Sequence, residues 1–395
     1  MPDLEAPQKV IIDTDPGVDD IFAISLALAH PELLDVVAIT TTHGTTDVES
    51  CTKNVRYLLR ILHRTSAFYE TNNESNMFAK PSFVAMGASR PFSQQSENEA
   101  SSEKRAEGYH GWDGLNGFHS RNPNRFNDEF DSNHVDEKDL PIYPLGSAHL
   151  KILDTLRNHE PKTISIIAIG PTTNLALALA ADPCTFSRVK QIVMMGGALR
   201  CSGNVTPRAE ANIYADPDAA ASIFDLSSPS RPSSIGGPVR VVLVPLDITA
   251  QHAMTETVYK KFISPPIRAG NPLALFLDDV LEATFNKVQN ITGRRIVGCS
   301  DPLTVSTLLW PELMRYEKLN IKVETTGTWT KGECVVDFRG RKKQELKGED
   351  IPEDFGGWVY GTERNDVDVL ISSGIEPTNF GETLLRGIFR NAQSN

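Results

Sequence analysis

The chain has 395 residues, of which 40% are hydrophobic and 23% are charged, an ordinary balance for a soluble globular protein. Its length fits one large α/β domain or two smaller ones, and its formal net charge of −12 argues against nucleic acid or an anionic membrane surface as a partner. No apolar run reaches the ~18 residues that cross a bilayer, no signal peptide is visible, and the five scattered cysteines lack metal or redox spacing, so we expect a cytoplasmic protein with reduced thiols.

A cluster of acidic residues follows the first predicted strand. Residues 10–12 are apolar and β-branched, as in a buried strand, and residues 21–29 have the composition of a helix. Between them lie four aspartates, Asp13, Asp15, Asp19 and Asp20. Carboxylates this close disfavour one another's ionisation, and a helix N-terminus offsets only ~0.3–1 kcal/mol for each. A hard cation such as Ca²⁺ would offset more; a capped helix with surface aspartates is the alternative, and the pattern alone favours neither.

The segment DTDPGVDD, residues 13–20, resembles the N-terminal signature of the nucleoside hydrolases, the inosine-uridine-preferring family that cleaves ribonucleosides to a base and ribose. Later segments match the family's motifs in the same order. With the strand-helix-strand order, the resemblance implies an α/β fold: an open, mostly parallel Rossmann-like sheet flanked by helices, with a small antiparallel C-terminal addition. We expect one domain over residues 1–395, carrying polar surface insertions at 70–109, 120–140 and 344–366.

Hydrophobic pattern predicts the remaining elements along the chain. A strand at 36–40 precedes a helix at 48–62. Further helices are predicted at 147–158, 176–181, 272–284 and 378–390, and further strands at 163–169, 191–195 and 239–244. Residues 321–326 and 329–339 are predicted to pair as antiparallel strands. Because ligands bind at the carboxyl ends of strands in open parallel sheets, we expect the functional residues to meet there.

A glycine-flanked histidine lies between two of the predicted insertions. The segment HGWDGL, which starts at His110, resembles the family's HGxxGL loop. The resemblance implies that His110 helps the leaving base to depart, and Trp112 beside it could stack on the base. The alternative is a loop histidine without a catalytic role.

Three later segments resemble the family's metal and ribose motifs. In the segment that contains GPTTN, the residue before the glycine, Ile169, matches a position that lends its main-chain carbonyl to the metal. The segment GNVTPRAEAN places Asn204, Glu210 and Asn212 at positions that hold ribose hydroxyls, although asparagines in such a loop could also simply form turns. Asp301 matches the C-terminal metal aspartate, whereas an isolated Asp-Pro is more often a helix cap.

Together these matches imply a calcium-dependent N-ribosyl hydrolase. Ca²⁺ would be held by Asp15, Asp20, Asp301 and the Ile169 carbonyl, and Asp15 would also take the proton of the attacking water. Asp19 would contact ribose hydroxyls, and Asp13 would orient the loop from behind. Purine or pyrimidine salvage, a small ribonucleoside substrate and a homodimer or homotetramer complete this expectation.

Two positions depart from the family's pattern. Thr45 stands where the family usually has asparagine in a substrate-binding loop, and Ser300 replaces a histidine that often precedes the metal aspartate. His43 and Trp112 are available substitutes, for protonation or stacking. Two other functions therefore stay open: a calcium- and ribose-binding protein with little turnover, and a hydrolase of another N-riboside such as nicotinamide riboside.

Overall fold

Strand β1 lies in the interior of a nine-stranded sheet in the computed structural model, which describes residues 6–71, 78–94, 109–123, 140–339, 358 and 364–390. The strands are β1 (Gln8–Thr14), β2 (Leu34–Thr41), β3 (Val84–Met86), β4 (Ile142–Tyr143), β5 (Ile164–Ala168), β6 (Gln191–Met195), β7 (Arg240–Val244), β8 (Ala253–Thr255), β9 (Ile296–Gly298), β10 (Arg315–Leu319), β11 (Ile321–Val323), β12 (Cys334–Val336) and β13 (Val367–Ser372).

Helices cover both faces of this sheet. They are α1 (Val18–Leu28), α2 (Val48–Thr71), α3 (Phe118–Arg121), α4 (Ala148–Arg157), α5 (Thr173–Ala181), α6 (Pro183–Phe186), α7 (Ala211–Ala215), α8 (Pro217–Asp225), α9 (Leu246–Thr249), α10 (Glu256–Arg268), α11 (Pro272–Thr292), α12 (Ser300–Leu309) and α13 (Phe380–Ile388). Short 3₁₀ turns occur at Phe92–Gln94, Ser233–Ile235, Pro311–Leu313 and Pro377–Asn379.

The predicted α/β fold with a mostly parallel sheet is confirmed. The strand order is β10-β13-β7-β6-β5-β1-β2-β3-β4, and the pairs are parallel except for the edge pair β10–β13. The predicted antiparallel addition is the ribbon β11–β12, and a second antiparallel ribbon joins β8 to β9.

Alternation along β1 explains how the sheet is buried on both faces. Val10 and Ile12 pack into the cluster that contains α1 and α11, whereas Ile11 packs into the cluster on the other face, with residues of α4 and α5. All three side chains are completely buried. A strand covered on both faces has to be apolar throughout, which is why the apolar run before Asp13 can be recognised as a strand from the sequence.

The predicted insertions are corrected in part. Helix α2 continues to Thr71, and β3 lies within the predicted insertion 70–109, where it pairs with β2 and β4. A strand of three residues is too short to stand out in a polar segment. Residues 72–77, 95–108, 124–139 and most of 344–366 lie outside the described part of the chain, so for them the predictions stay predictions.

Candidate active site

The loop between β1 and α1 is closed by hydrogen bonds to Asp20. The hydroxyl of Thr14 donates to one carboxylate oxygen of Asp20 at 2.6 Å, and the N–H of Gly17 donates to the other at 2.9 Å. This arrangement caps the start of α1 and turns the chain sharply after the strand. The local sequence therefore brings Asp15, Asp19 and Asp20 to the carboxyl end of β1.

Three carboxylates meet where α1 and α12 begin. Asp19 and Asp20 lie in the first turn of α1, Asp301 lies in the first turn of α12, and one carboxylate oxygen from each lies within 4.8 Å of the other two. Asp20 and Asp301 are 2% and 4% exposed. Desolvation, together with the charges of the neighbouring aspartates, raises the pKa of Asp301 well above its ordinary value, and desolvation raises the pKa of Asp19 to about 6. Buried oxygen ligands of one sign fit a hard divalent cation, which would remove the cost of their repulsion.

Asp15 lies beside this trio in a pocket that two glycines make possible. The N–H of Thr45 donates to a carboxylate oxygen of Asp15 at 2.5 Å. A Cβ atom on Gly44 or on Gly170 would lie 1.9 Å or 2.6 Å from the Asp15 carboxylate oxygens, so neither position admits a side chain. Burial, together with the charge of Asp20, raises the pKa of Asp15 well above its ordinary value.

Asp13 lies behind the trio, at the end of β1, and its side chain connects β1 to β2 and to α5. Its carboxylate accepts hydrogen bonds from the Thr40 hydroxyl of β2 and, at 2.8 Å, from the side-chain amide of Asn174 in α5. Its second oxygen, buried, has no hydrogen-bond partner within the described chain. Burial outweighs these hydrogen bonds and raises the pKa of Asp13 to about 7.

His110 contacts the acidic loop directly. The N–H of Val18 donates to Nδ1 of His110 at 3.0 Å, so Nδ1 is an acceptor, while Nε2 lies 3.8 Å from Asp19. Gly17 packs against the ring, where an added Cβ would lie 2.5 Å from Nδ1. Desolvation lowers the pKa of His110 to about 4, below the value near 6.5 that an acid role assumes. The geometry thus gives His110 a positioning contact, and its lowered pKa argues against the predicted role as the acid, which turnover measurements test.

The two residues predicted to assist base departure in place of the missing histidine, by stacking or by protonation, lie in different settings. Trp112 is 56% exposed, and its ring meets His119 edge-on at 6.2 Å. His43 is 1% exposed, and its Nε2 lies 3.1 Å from the hydroxyl of Thr173. Trp112 is therefore free to contact a ligand, whereas His43 faces the protein interior.

The predicted ribose loop is built around Glu210. Its carboxylate caps α7 by accepting from the N–H groups of Asn212 and Ile213, and it also accepts from Gly197 N–H. The side-chain oxygen of Asn204, which is exposed, accepts from the N–H of Ala211 at 2.9 Å. The buried Glu210 carboxylate therefore caps α7 and holds Gly197, just after β6, against this loop.

The side-chain amide of Asn212 connects this loop to the predicted metal carbonyl. It donates to the main-chain oxygen of Ile169 at 3.3 Å and to that of Met195 at 3.2 Å. The N–H of Ile169 in turn donates to the carbonyl of Asp13 at 2.8 Å. The ends of β1, β5 and β6 and the ribose loop therefore form one continuous hydrogen-bonded rim.

Comparison with known proteins decides the family. The family model for the inosine-uridine preferring nucleoside hydrolases matches residues 10–354. The chain belongs to this family. It is 34% identical to an uncharacterised protein of Schizosaccharomyces pombe over 84% of this chain and 89% of that one, and 30% identical to the inosine-uridine preferring nucleoside hydrolase of Leishmania major over 84% and 88%. A solved plant nucleoside hydrolase, PpNRh1, superposes with a TM-score of 0.68 at 27% identity, over 98% of this chain and 100% of that one.

Membership makes the chain an N-glycosidase that acts on small ribonucleosides. The acidic trio, Asp19, Asp20 and Asp301, is the group of metal-ligating side chains that the described residues bring together. Across the same residues, no helix combines the length and the apolar composition that crossing a membrane requires.

Two asparagines that support this nucleoside hydrolase site were missed as site residues from the sequence. Asn174 donates to Asp13 and to the carbonyl of Thr41, and accepts from the N–H of Ala88. Its signal was present, since it ends the GPTTN segment. Asn54 donates to the carbonyls of Pro16 and Asp113 and so joins the acidic loop to the His110 loop. Its position inside α2 gave no such signal.

Proposed function

We propose that this nucleoside hydrolase cleaves the N-glycosidic bond of ribonucleosides in a calcium-dependent reaction and releases free base and ribose. The observation that carries this proposal is the convergence of Asp19, Asp20 and Asp301 beside Asp15 at the carboxyl ends of the strands. Asp15, Asp20, Asp301 and the Ile169 carbonyl would hold a divalent cation, which would supply an acidified water and offset the charge of these carboxylates. Oxygen-only ligands from carboxylates and a carbonyl favour Ca²⁺ over softer ions.

Asp15 acts as the general base in this proposal. Thr45 N–H fixes one of its oxygens, and the two glycine contacts fix the orientation of the carboxylate. An ionised carboxylate held in this orientation can accept the proton of the attacking water. The oxocarbenium character that develops at ribose C1′ is stabilised by the neighbouring carboxylates.

The ribose is held by Asp19, Asn204, Glu210 and Asn212 in this proposal. Asp19 lies on the acidic trio, and Asn212 lies against the Ile169 carbonyl, so the rim offers acceptors and donors on both sides of a sugar. A site that pairs with a hydroxyl rejects the analogue that lacks it by up to ~10⁴–10⁵-fold. Trp112 is proposed to pack on the base, and a cytoplasmic homodimer or homotetramer stays part of the proposal.

A panel of nucleosides tests the proposed function. Purified protein with Ca²⁺ is incubated with uridine, inosine, 2′-deoxyuridine and nicotinamide riboside, and the released sugar is measured by a reducing-sugar assay. We expect ribose from uridine or inosine and very little sugar from 2′-deoxyuridine. A faster reaction on nicotinamide riboside would replace the proposed substrate, and calcium binding without sugar release from any substrate would favour the binding protein.

A further inference from the structure

Three buried side chains form a hydrogen-bonded chain beside the acidic site. Nε2 of His43 lies 3.1 Å from Oγ1 of Thr173, and Thr173 donates to a carboxylate oxygen of Asp216 at 2.5 Å. That oxygen also accepts from the N–H of Phe92 at 2.7 Å, so it is an acceptor. Since the only hydroxyl proton of Thr173 goes to Asp216, Nε2 of His43 carries the proton and donates to Thr173.

The chain connects segments that are distant in the sequence. His43 follows β2, Thr173 is the first residue of α5, and Asp216 caps α8 by accepting from the N–H of Ala219. His43, Thr173 and Asp216 are 1%, 0% and 0% exposed. Because a buried polar group that loses its partner destabilises the fold, these bonds hold the three segments in one arrangement.

The segment that His43 anchors contacts Asp15, the proposed general base, through the next two residues, Gly44 and Thr45. The backbone N–H of His43 donates to the carbonyl of Ala88, Gly44 packs against the Asp15 carboxylate, and Thr45 N–H donates to that carboxylate. A shift of the His43 ring therefore moves the donor that orients Asp15.

We propose that His43, held by Thr173 and Asp216, is a positioning residue that fixes the Gly44–Thr45 backbone against Asp15. This inference rests on the proposed function for its effect on turnover, but the anchoring itself does not depend on any substrate. His43 does not act as the leaving-group acid, because its donor atom is used by Thr173 and its ring is buried.

Paired variants separate the hydrogen bond from simple packing. His43→Leu removes the donor, whereas His43→Gln keeps a side-chain N–H near the place of Nε2. Thr173→Val removes the hydroxyl at nearly constant volume. His159→Gln is the matched control, because His159 bonds the Thr155 carbonyl at the end of α4, away from the strand ends that carry the site.

We expect His43→Leu and Thr173→Val each to lower kcat on uridine by about 10- to 100-fold, since a misplacement near 1 Å can cost ~10²-fold. KM should stay within about threefold, because the loss falls on the transition state. His43→Gln should retain most of the activity. The double variant should lose no more than the more damaged single variant, because both changes break one chain.

Two kinetic results would overturn the proposal. One is unchanged kcat in folded His43→Leu and Thr173→Val proteins, and the other is a double variant whose losses multiply. Hydrogen-deuterium exchange gives a test that needs no activity: the amides of residues 42–46 should exchange faster in His43→Leu than in the parent or in His159→Gln. Unchanged exchange there contradicts the anchoring, whereas a parent protein that releases no sugar contradicts only the proposed function.

Discussion

The most unfavourable desolvation and charge repulsion in the described part of this molecule act on individual buried carboxylates. Asp15, Asp20 and Asp301 are buried with like-charged neighbours, and desolvation raises the pKa of each. The hydrogen bonds from Thr14 and Gly17 to Asp20 oppose this effect only in part. A buried charge of one sign without a partner is strongly disfavoured, so the residues are arranged for a cation rather than for the stability of the empty fold.

Replacing Asp20 with alanine should abolish calcium binding measured by calorimetry. The change removes one of the three converging carboxylates, and it also removes the cap of α1, which costs ~1 kcal/mol of stability. Circular dichroism should confirm that the variant is folded. Asp154→Ala serves as the control, since Asp154 pairs with Arg157 on the exposed face of α4. Undiminished binding in the Asp20 variant would remove this assignment.

His110 contacts the acidic loop through a neutral ring. Because its Nδ1 holds Val18 and its lowered pKa keeps the ring neutral near pH 7, we expect His110→Ala to lower turnover of inosine and of p-nitrophenyl riboside by similar factors, of about 10²-fold. The nitrophenyl group departs without a proton, so it does not need an acid. A loss confined to inosine would establish His110 as the general acid.

Elements with long apolar or strongly periodic sequences were predictable, and short or proline-containing ones were not. The run before Asp13 located β1, and the strands near residues 164, 191 and 240 were found in the same way. Helix α10 was missed because Pro265 and Pro266 lie inside it, and proline ordinarily ends a helix. Strand β10 was missed because RYEKL, at the sheet edge, is mostly polar. The motifs predicted a set of site residues, but the hydrogen bonds that Glu210 and His43 make depend on segments far away in the sequence.

The ribbon β11–β12 packs on the ribose loop through Gly332, which lies in the turn between its two strands. Gly332 has a φ of +80°, and a Cβ there would lie 2.8 Å from the Tyr214 backbone and 3.1 Å from Ala209. Gly332→Ala should therefore displace the loop that carries Glu210 and raise the KM for uridine, measured by steady-state kinetics. Gly270→Ala is the matched control: its φ is +78°, but open space surrounds it. Equal KM values in both variants would show that the ribbon does not position the loop.

The proposed calcium site would couple metal binding to proton release in the molecule as a whole. The folded pKa values of Asp13 and Asp19, about 7 and about 6, exceed their ordinary value of 3.8. Between pH 3.8 and about 7 the folded state thus holds protons that the unfolded state has released, so these two groups lower the free energy of unfolding as pH rises. Histidines with lowered pKa values, such as His110 and His252, instead raise the free energy of unfolding as pH rises over part of this range.

The effect of the histidines on Tm is the same with Ca²⁺ and with EDTA, so it cancels when the two Tm values are subtracted. Calcium has to bind ionised carboxylates, so this difference should grow from about pH 5 to about pH 7.5. Differential scanning calorimetry at matched ionic strength measures it. A calcium effect that is the same at every pH would contradict the coupling.

Ribose release from uridine or inosine by the whole chain, before and after removal of calcium, tests the proposed function most directly. We expect EDTA to lower the rate by at least ~10²-fold, added Ca²⁺ to restore it, and Asp15→Asn to stay inactive with Ca²⁺ present. Ribose release that continues unchanged in EDTA, or in the Asp15 variant, would contradict it.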